Sequence, residues 1–189
     1  MKKVALFASG NGSNAENICN YFKESNRVDV VLLATNNRSA FVVKRLKKFG
    51  LPIFCFSKKE MSGSNVVQKK LSEHSIDLIV LCGFLLKIPK NIVDLFPKRI
   101  INIHPSLLPK FGGKGMYGER VHKAVIGSNE KFSGITVHYV NNNYDEGDII
   151  FQKKLSLSKN ETPQSLSKKI HLLEMSSFPS VIKRVVDSL

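Results

Sequence analysis

The sequence predicts an α/β protein, a Rossmann-like and mostly parallel doubly wound sheet of about seven strands with helices on both faces. Three observations carry this. Short apolar runs alternate with helical patterns through the first half of the chain, the rhythm of repeated βαβ units. Residues 77–81 (Asp-Leu-Ile-Val-Leu) are apolar after the first position, as a strand covered on both faces must be. The first apolar run ends in Gly10-Asn11-Gly12 directly before a helical pattern, the strand, turn and helix junction found at the carboxyl edge of such sheets.

In chain order, residues 3–8 read as the first strand. A helix follows the glycine turn, with Ser13 and Glu16 at capping-box spacing and Ile18, Tyr21 and Phe22 as its apolar stripe. Residues 28–35 form the next strand, 40–49 a basic helix ended by Gly50, 52–56 a strand, 66–73 a helix and 77–81 the buried strand. Residues 82–89 then leave the sheet, and a short helix over 89–96 returns the chain to a strand over 100–104. Beyond Pro109, the glycine cluster of residues 111–118 reads as a loop able to move. Residues 120–126 are helical, 135–140 alternate as a strand, 141–148 form a polar loop, and 149–153 make the last strand. Thr162-Pro163 places an N-cap before a proline at the first helical position and opens the C-terminal helix, whose inward stripe is Leu166, Ile170 and Leu173, with Glu174 at its rim.

The 189 residues suit one domain over 1–189, and a 42% apolar composition excludes a disordered chain. The longest apolar run, residues 78–86, is interrupted by Gly83 and is too short to span a bilayer. Lys2-Lys3 before the first run imitates a signal peptide, but that run is too short for export. Three widely spaced cysteines, Cys19, Cys55 and Cys82, fit reduced thiols, so a cytoplasmic location is expected. The formal charge of +14 suggests nucleic acid at first sight. Of the 29 basic residues only six are Arg, however, and the lysines fall in scattered pairs without interleaved aromatics. A solvated lysine surface that steers small anions inward is the better reading, with no dedicated nucleic-acid partner and no membrane.

Candidate chemistry lies in Asn102-Ile103-His104-Pro105. Strand side chains alternate, so Ile100, Asn102 and His104 share one face while Ile101 and Ile103 share the other. Pro105 ends the strand and leaves an amide and an imidazole together at its carboxyl edge, where open α/β sheets bind ligands. The glycine turn lets backbone approach an anion at a helix N-terminus. The strand over 28–35 ends in Asn36-Asn37-Arg38 rather than in a ribose-holding acid, which argues against NAD and for a phosphate monoester, with a plain capped turn as the alternative. Asp145, Glu146 and Asp148 lack calcium-loop spacing, and no metal is expected.

These residues carry a resemblance. Ser9-Gly10-Asn11-Gly12-Ser13-Asn14, Gly83-Phe84, Asn102-Ile103-His104-Pro105-Ser106-Leu107-Leu108-Pro109, Val137-His138 and Asp145-Glu146-Gly147 resemble, in order and spacing, the phosphoribosylglycinamide formyltransferases within the wider formyltetrahydrofolate enzymes. The resemblance implies formyl transfer from 10-formyltetrahydrofolate, as co-substrate, to the amine of 5'-phosphoribosylglycinamide in purine biosynthesis. It implies Asn102, His104 and Asp145 as catalytic residues, Gly12, Ser13 and Asn14 at the substrate phosphate, and Glu174 at the ribose. It places the folate on Leu85, Leu86, Lys87 and Ile88, on Asn102, and on the loop carrying Asn141, Tyr144 and Asp145. The expected partners are these small molecules, with the protein a monomer or homodimer. Two departures stand out: many members carry Arg where Leu86 stands, and their loop after the motif is less glycine-rich than residues 111–118.

The chemistry suits the residues. Amine attack on a formyl carbon creates an oxyanion, which needs donors such as an Asn amide and a protonated His. A carboxylate beside His104 favours its charged form, the role expected of Asp145. Methionyl-tRNA formyltransferase shares the motif but needs a further C-terminal domain that 189 residues would not hold, and formyltetrahydrofolate hydrolase carries an extra N-terminal domain. A non-catalytic Rossmann-like nucleotide or nucleic-acid binder is the alternative from another class.

Overall fold

β1 (Lys2–Phe7) is the axis of the structure, a computed structural model that describes all 189 residues; its Val4, Ala5, Leu6 and Phe7 are fully buried. It pairs in parallel with β2 (Val28–Thr35) on one side and β4 (Leu78–Leu81) on the other. β3 (Ile53–Cys55) extends the sheet beyond β2 and β5 (Ile100–His104) extends it beyond β4, both in parallel. β6 (Phe132–Tyr139) then runs antiparallel to β5, and β7 (Ile149–Ser156) antiparallel to β6. The order is β3-β2-β1-β4-β5-β6-β7, so the expected seven-stranded, mostly parallel α/β sheet is the fold observed.

Alternation along β1 sorts the core into two layers. Val4 and Leu6 face a cluster that also holds Ala15 and Ile18 of α1 (Ser13–Phe22), Val42 of α2 (Phe41–Leu46), Val121 of α6 (Glu119–Gly127) and Ile170 and Phe178 of α7 (Pro163–Asp187). Ala5 and Phe7 face the other, built on Met61 of α3 (Lys58–Gly63), Val67 and Leu71 of α4 (Val66–Glu73) and Ile92 of α5 (Lys90–Leu95). Helices therefore cover both faces. Truncating one of these side chains, such as Ile92→Ala, removes about 2–5 kcal/mol of stability.

The chain leaves β1 in one direction to β2 and β3 and returns on its other side as β4. Loops after β1 and β4 consequently diverge and open a crevice at their carboxyl ends. The crevice floor is tied by the Ser9 N–H, which donates to the Gly83 carbonyl at 3.2 Å.

Several local features differ from the sequence expectation. Ser13 and Glu16 do not form a capping box: Gly12 is the cap residue, left-handed at φ 78°, and the Glu16 carboxylate pairs with Arg45 and Lys48 instead. The turn is tight because α2 packs onto it, and a Cβ at Gly12 would lie 2.3 Å from Val42 Cγ2. Capping boxes occur at Ser57 with Glu60, opening the unforeseen six-residue helix α3, and at Thr162 with Ser165, opening α7. The basic helix after β2 narrows into a 3-10 turn over Lys47–Phe49 before left-handed Gly50. β6 and β7 are longer than expected because they pair out to Phe132 and Ser156, where an exposed edge mixes lysines into the alternation. The three cysteines are unpaired, and no helix is long and apolar enough to cross a membrane.

Candidate active site

Sheet register brings the polar groups of β5 into contact. Asn102 lies opposite His138 on β6, and its Nδ2 donates to His138 Nε2 at 3.1 Å and to Asp145 Oδ1 at 3.5 Å. His138 Nδ1 meets the Tyr139 carbonyl at 2.8 Å. A carbonyl only accepts, so Nδ1 carries the proton and Nε2 is free to receive the Asn102 amide. Two residues along β5, His104 Nε2 donates to the Phe111 carbonyl at 2.8 Å while Nδ1 faces Asp145 Oδ2 at 3.5 Å. Asn102, His104 and Asp145 thus converge, with Asp145 between the two β5 side chains.

Asp145 reaches them from the loop between β6 and β7. It is left-handed at φ 58°, and the loop folds back so closely that a Cβ at Gly147 would lie 1.7 Å from the Tyr139 carbonyl oxygen. Only glycine permits that approach. Burial works against the Asp145 carboxylate, but its proximity to the His138 and His104 imidazoles and the Gly113 N–H at 2.9 Å outweigh it and hold its pKa below the usual value.

His104 behaves differently from the expectation of an imidazole kept protonated by Asp145. Burial is the largest influence and lowers its pKa; Asp145 and the Phe111 hydrogen bond oppose this without reversing it. With His104 only 3% exposed, the lost solvation of an imidazolium outweighs one carboxylate at 3.5 Å in the ligand-free site.

A cleft of about 470 Å³ extends from this cluster to the glycine turn and takes in Gly12, Ser13, Asn14 and Glu174, all expected at the substrate. β1 and β5 are two strand spacings apart, so roughly 10 Å separates the turn from the Asn102 and His104 strand. Arg45 steadies the turn, donating from Nε to the Asn11 carbonyl and from Nη2 to Asn11 Oδ1, both at 3.0 Å. Asn14 Nδ2 donates to Glu174 Oε2 at 2.9 Å, and His171 Nδ1 stands 3.6 Å from the same oxygen, which raises the His171 pKa. Glu174 Oε1 is left to accept from a ligand.

The residues expected at the folate divide between two cavities. Leu85 lines the larger cleft, whereas Leu86, Lys87, Ile88 and Asn141 line an adjoining cavity of about 60 Å³. Asn102, Tyr144 and Asp145 border both, and Lys87 Nζ sits over the Tyr144 ring at 5.7 Å. The two spaces therefore meet at the residues with the most reactive chemistry.

Sequence reasoning had assigned no role to His138, His122, His171, Phe111 or Gly113. His138 had a visible signal, being a polar residue on the same strand face as Thr136, but its partner depended on register. Phe111 and Gly113 act through backbone groups, which side-chain patterns do not reveal.

A formyl transferase family model matches residues 2–182. The chain is 38% identical over 191 residues to the phosphoribosylglycinamide formyltransferase of Bacillus subtilis, covering 98% of this chain and 95% of that protein. It is 41% identical over 175 residues to the chloroplastic phosphoribosylglycinamide formyltransferase of Arabidopsis thaliana, covering 89% of this chain and 60% of that one, so it spans about three fifths of the plant relatives' length. The crystal structure of phosphoribosylglycinamide formyltransferase from Anaplasma phagocytophilum superposes with a TM-score of 0.90 at 30% identity, covering 98% of this chain and 87% of that one. Its counterpart from Bacillus halodurans gives 0.86 at 33% identity, covering 98% and 95%. With a match over nearly its whole length in sequence and in fold, the chain belongs to the formyl transferase family.

Proposed function

We propose that this protein transfers the formyl group of 10-formyltetrahydrofolate to the amine of 5'-phosphoribosylglycinamide, a step of purine biosynthesis. The observation that carries the reading is the meeting of two cavities at Asn102 and Asp145, one of them ending in a glycine turn at a helix N-terminus. The turn offers backbone N–H groups of Gly12, Ser13 and Asn14 to a phosphate. Glu174 Oε1 accepts from ribose hydroxyls, and the amine is delivered to β5. The folate lies along Leu85 to Ile88 and the loop of Asn141, Tyr144 and Asp145. Its formyl group is at the shared wall.

The amine arrives largely as an ammonium and must lose a proton before it attacks. Neutral His104 accepts that proton at Nδ1, beside Asp145, and becomes an imidazolium when negative charge is about to develop. The amine nitrogen then bonds to the formyl carbon and the carbonyl electrons move to oxygen. Imidazolium Nε2–H, exchanging the Phe111 carbonyl for this oxyanion, stabilises it together with the Asn102 amide, whose long 3.5 Å contact with Asp145 is the easier one to give up. Collapse breaks the bond to folate N10, which takes the first proton back from His104. The attacking nitrogen, cationic once its bond to carbon has formed, releases its second proton to bulk water and leaves the neutral formamide. Binding of both substrates, the proton path and the oxyanion donors all come from this chain.

The three unpaired thiols fit a cytosolic protein of one domain. The test is a formyl-transfer assay with glycinamide ribonucleotide and 10-formyltetrahydrofolate. Formylated ribonucleotide supports the reading. Release of formate alone would favour a hydrolase, formylation of methionyl-tRNA would favour the tRNA enzyme, and binding without turnover would favour a non-catalytic module.

A further inference from the structure

Helix α6 turns Val121, His122 and Val125 inward, and all three are buried. The valines join the core cluster beneath the sheet, whereas His122 lines the large cleft. It is 4% exposed, its Nδ1 is buried without a partner, and neither ring nitrogen bonds to any protein group. A buried imidazole kept for packing alone is normally hydrogen-bonded, because an unmet donor costs about 1–3 kcal/mol. That penalty is least in the tautomer with a bare Nδ1 and a proton on Nε2. Nε2–H is then a donor that only the contents of the cleft can satisfy.

Charged groups on more than one element act on His122. Glu174 and Glu119 favour its protonated form and His104 disfavours it, while burial, the largest influence, keeps its pKa below the usual value. His122, Glu174 and His104 all line this one cleft. On the proposed substrate, the phosphate is met by the turn, the ribose hydroxyls by Glu174 and the amine by His104 with Asp145. Between ribose and amine lie the amide N–H and the amide carbonyl oxygen, and the oxygen is an acceptor for which the cleft has so far supplied no donor.

Resting on the substrate reading above, we infer that His122 binds the glycinamide arm, donating Nε2–H to its amide carbonyl oxygen and so fixing the amine for attack. Holding that carbonyl fixes the rotation of the short arm, which converts loose binding into an attack geometry.

The experiment compares wild type, His122→Phe and His122→Gln on glycinamide ribonucleotide and on its thioamide analogue, whose sulfur accepts hydrogen bonds weakly. His122→Phe keeps an aromatic ring without a donor, and His122→Gln restores an N–H. The expected result is a loss of roughly tenfold or more in kcat/KM for the natural substrate in His122→Phe, partial recovery in His122→Gln, and little loss on the thioamide. Binding of a folate analogue, read by fluorescence titration, stays within about twofold of wild type in both variants. An equal loss on both substrates, or none on either, overturns the role of His122 while leaving the function intact. Wild-type protein that fails to formylate glycinamide ribonucleotide overturns the substrate reading itself, and this inference with it.

Discussion

The backbone N–H of Gly113 donates to Oδ2 of Asp145 at 2.9 Å, the same oxygen that faces His104 Nδ1 at 3.5 Å. The glycine-rich loop and the His104 imidazole therefore share one carboxylate oxygen. Phe111 closes the circuit by accepting from the other His104 nitrogen. A shift of this loop changes the orientation and the proton affinity of His104 together.

Asp145→Asn tests that coupling. The carboxylate raises the His104 pKa against the stronger lowering by burial, so removing its charge leaves burial less opposed and the pKa falls further. NMR titration of the His104 ring in the ligand-free protein is expected to show a midpoint below 6.5 in wild type and a lower one in Asp145→Asn. An unmoved midpoint in the variant would mean that Asp145 does not act on His104.

Asn102→Ala and His104→Ala are each expected to lower kcat by roughly 100-fold or more, the usual loss for an oxyanion donor. His138→Phe leaves both in place but removes the acceptor at 3.1 Å that orients Asn102, and should lower kcat by less. Single-turnover rates measure this ordering. Near-wild-type turnover in Asn102→Ala would remove it from the mechanism.

Gly12→Val combines a left-handed φ of 78° with a Cβ 2.3 Å from Val42, so it should reduce stability as well as phosphate binding. Thermal melting is expected to fall by several degrees, about what 1–3 kcal/mol produces in a chain of this size. Glu174→Gln separates binding from folding: KM for the ribonucleotide should rise roughly tenfold while KM for the folate stays unchanged. A parallel rise in both would place Glu174 outside the ribose contact.

Stability should decline on mild acidification. Burial lowers the pKa of His104 and of His122 below 6.5, so between pH 6.5 and those lowered values the unfolded chain binds more protons than the folded one. Their contribution is complete above pH 6.5 and is lost as pH falls through it, with the raised His171 opposing in part. Urea midpoints from pH 7.5 to 5.5 measure the slope, and His104→Asn should flatten it.

The charge of +14 should give only weak, sequence-independent RNA binding that disappears at moderate salt, since scattered lysines release counterions without reading bases. Filter binding across a salt series decides this. Tight tRNA binding at physiological salt would instead indicate a dedicated nucleic-acid face.

By itself the sequence determined the fold class, the strand carrying Asn102 and His104, and the glycine turn before α1, because these depend on local periodicity and on residues with few conformational options. It also revealed, through resemblance, a pairing of those two residues with Asp145. The tertiary structure alone decided what each group touches. Asn102 meets His138 because β6 runs antiparallel to β5 in one register, a choice set by sheet packing. Glu16 leaves its expected cap for Arg45 and Lys48 because α2 lies against the turn. His104 loses proton affinity because burial, a property of the assembled core, outweighs the carboxylate beside it. His122 is left with an unpartnered, buried Nδ1 at a cleft wall only once α6 has docked, for the same Val-His-Lys-Ala-Val stretch on an exposed helix would bond to water.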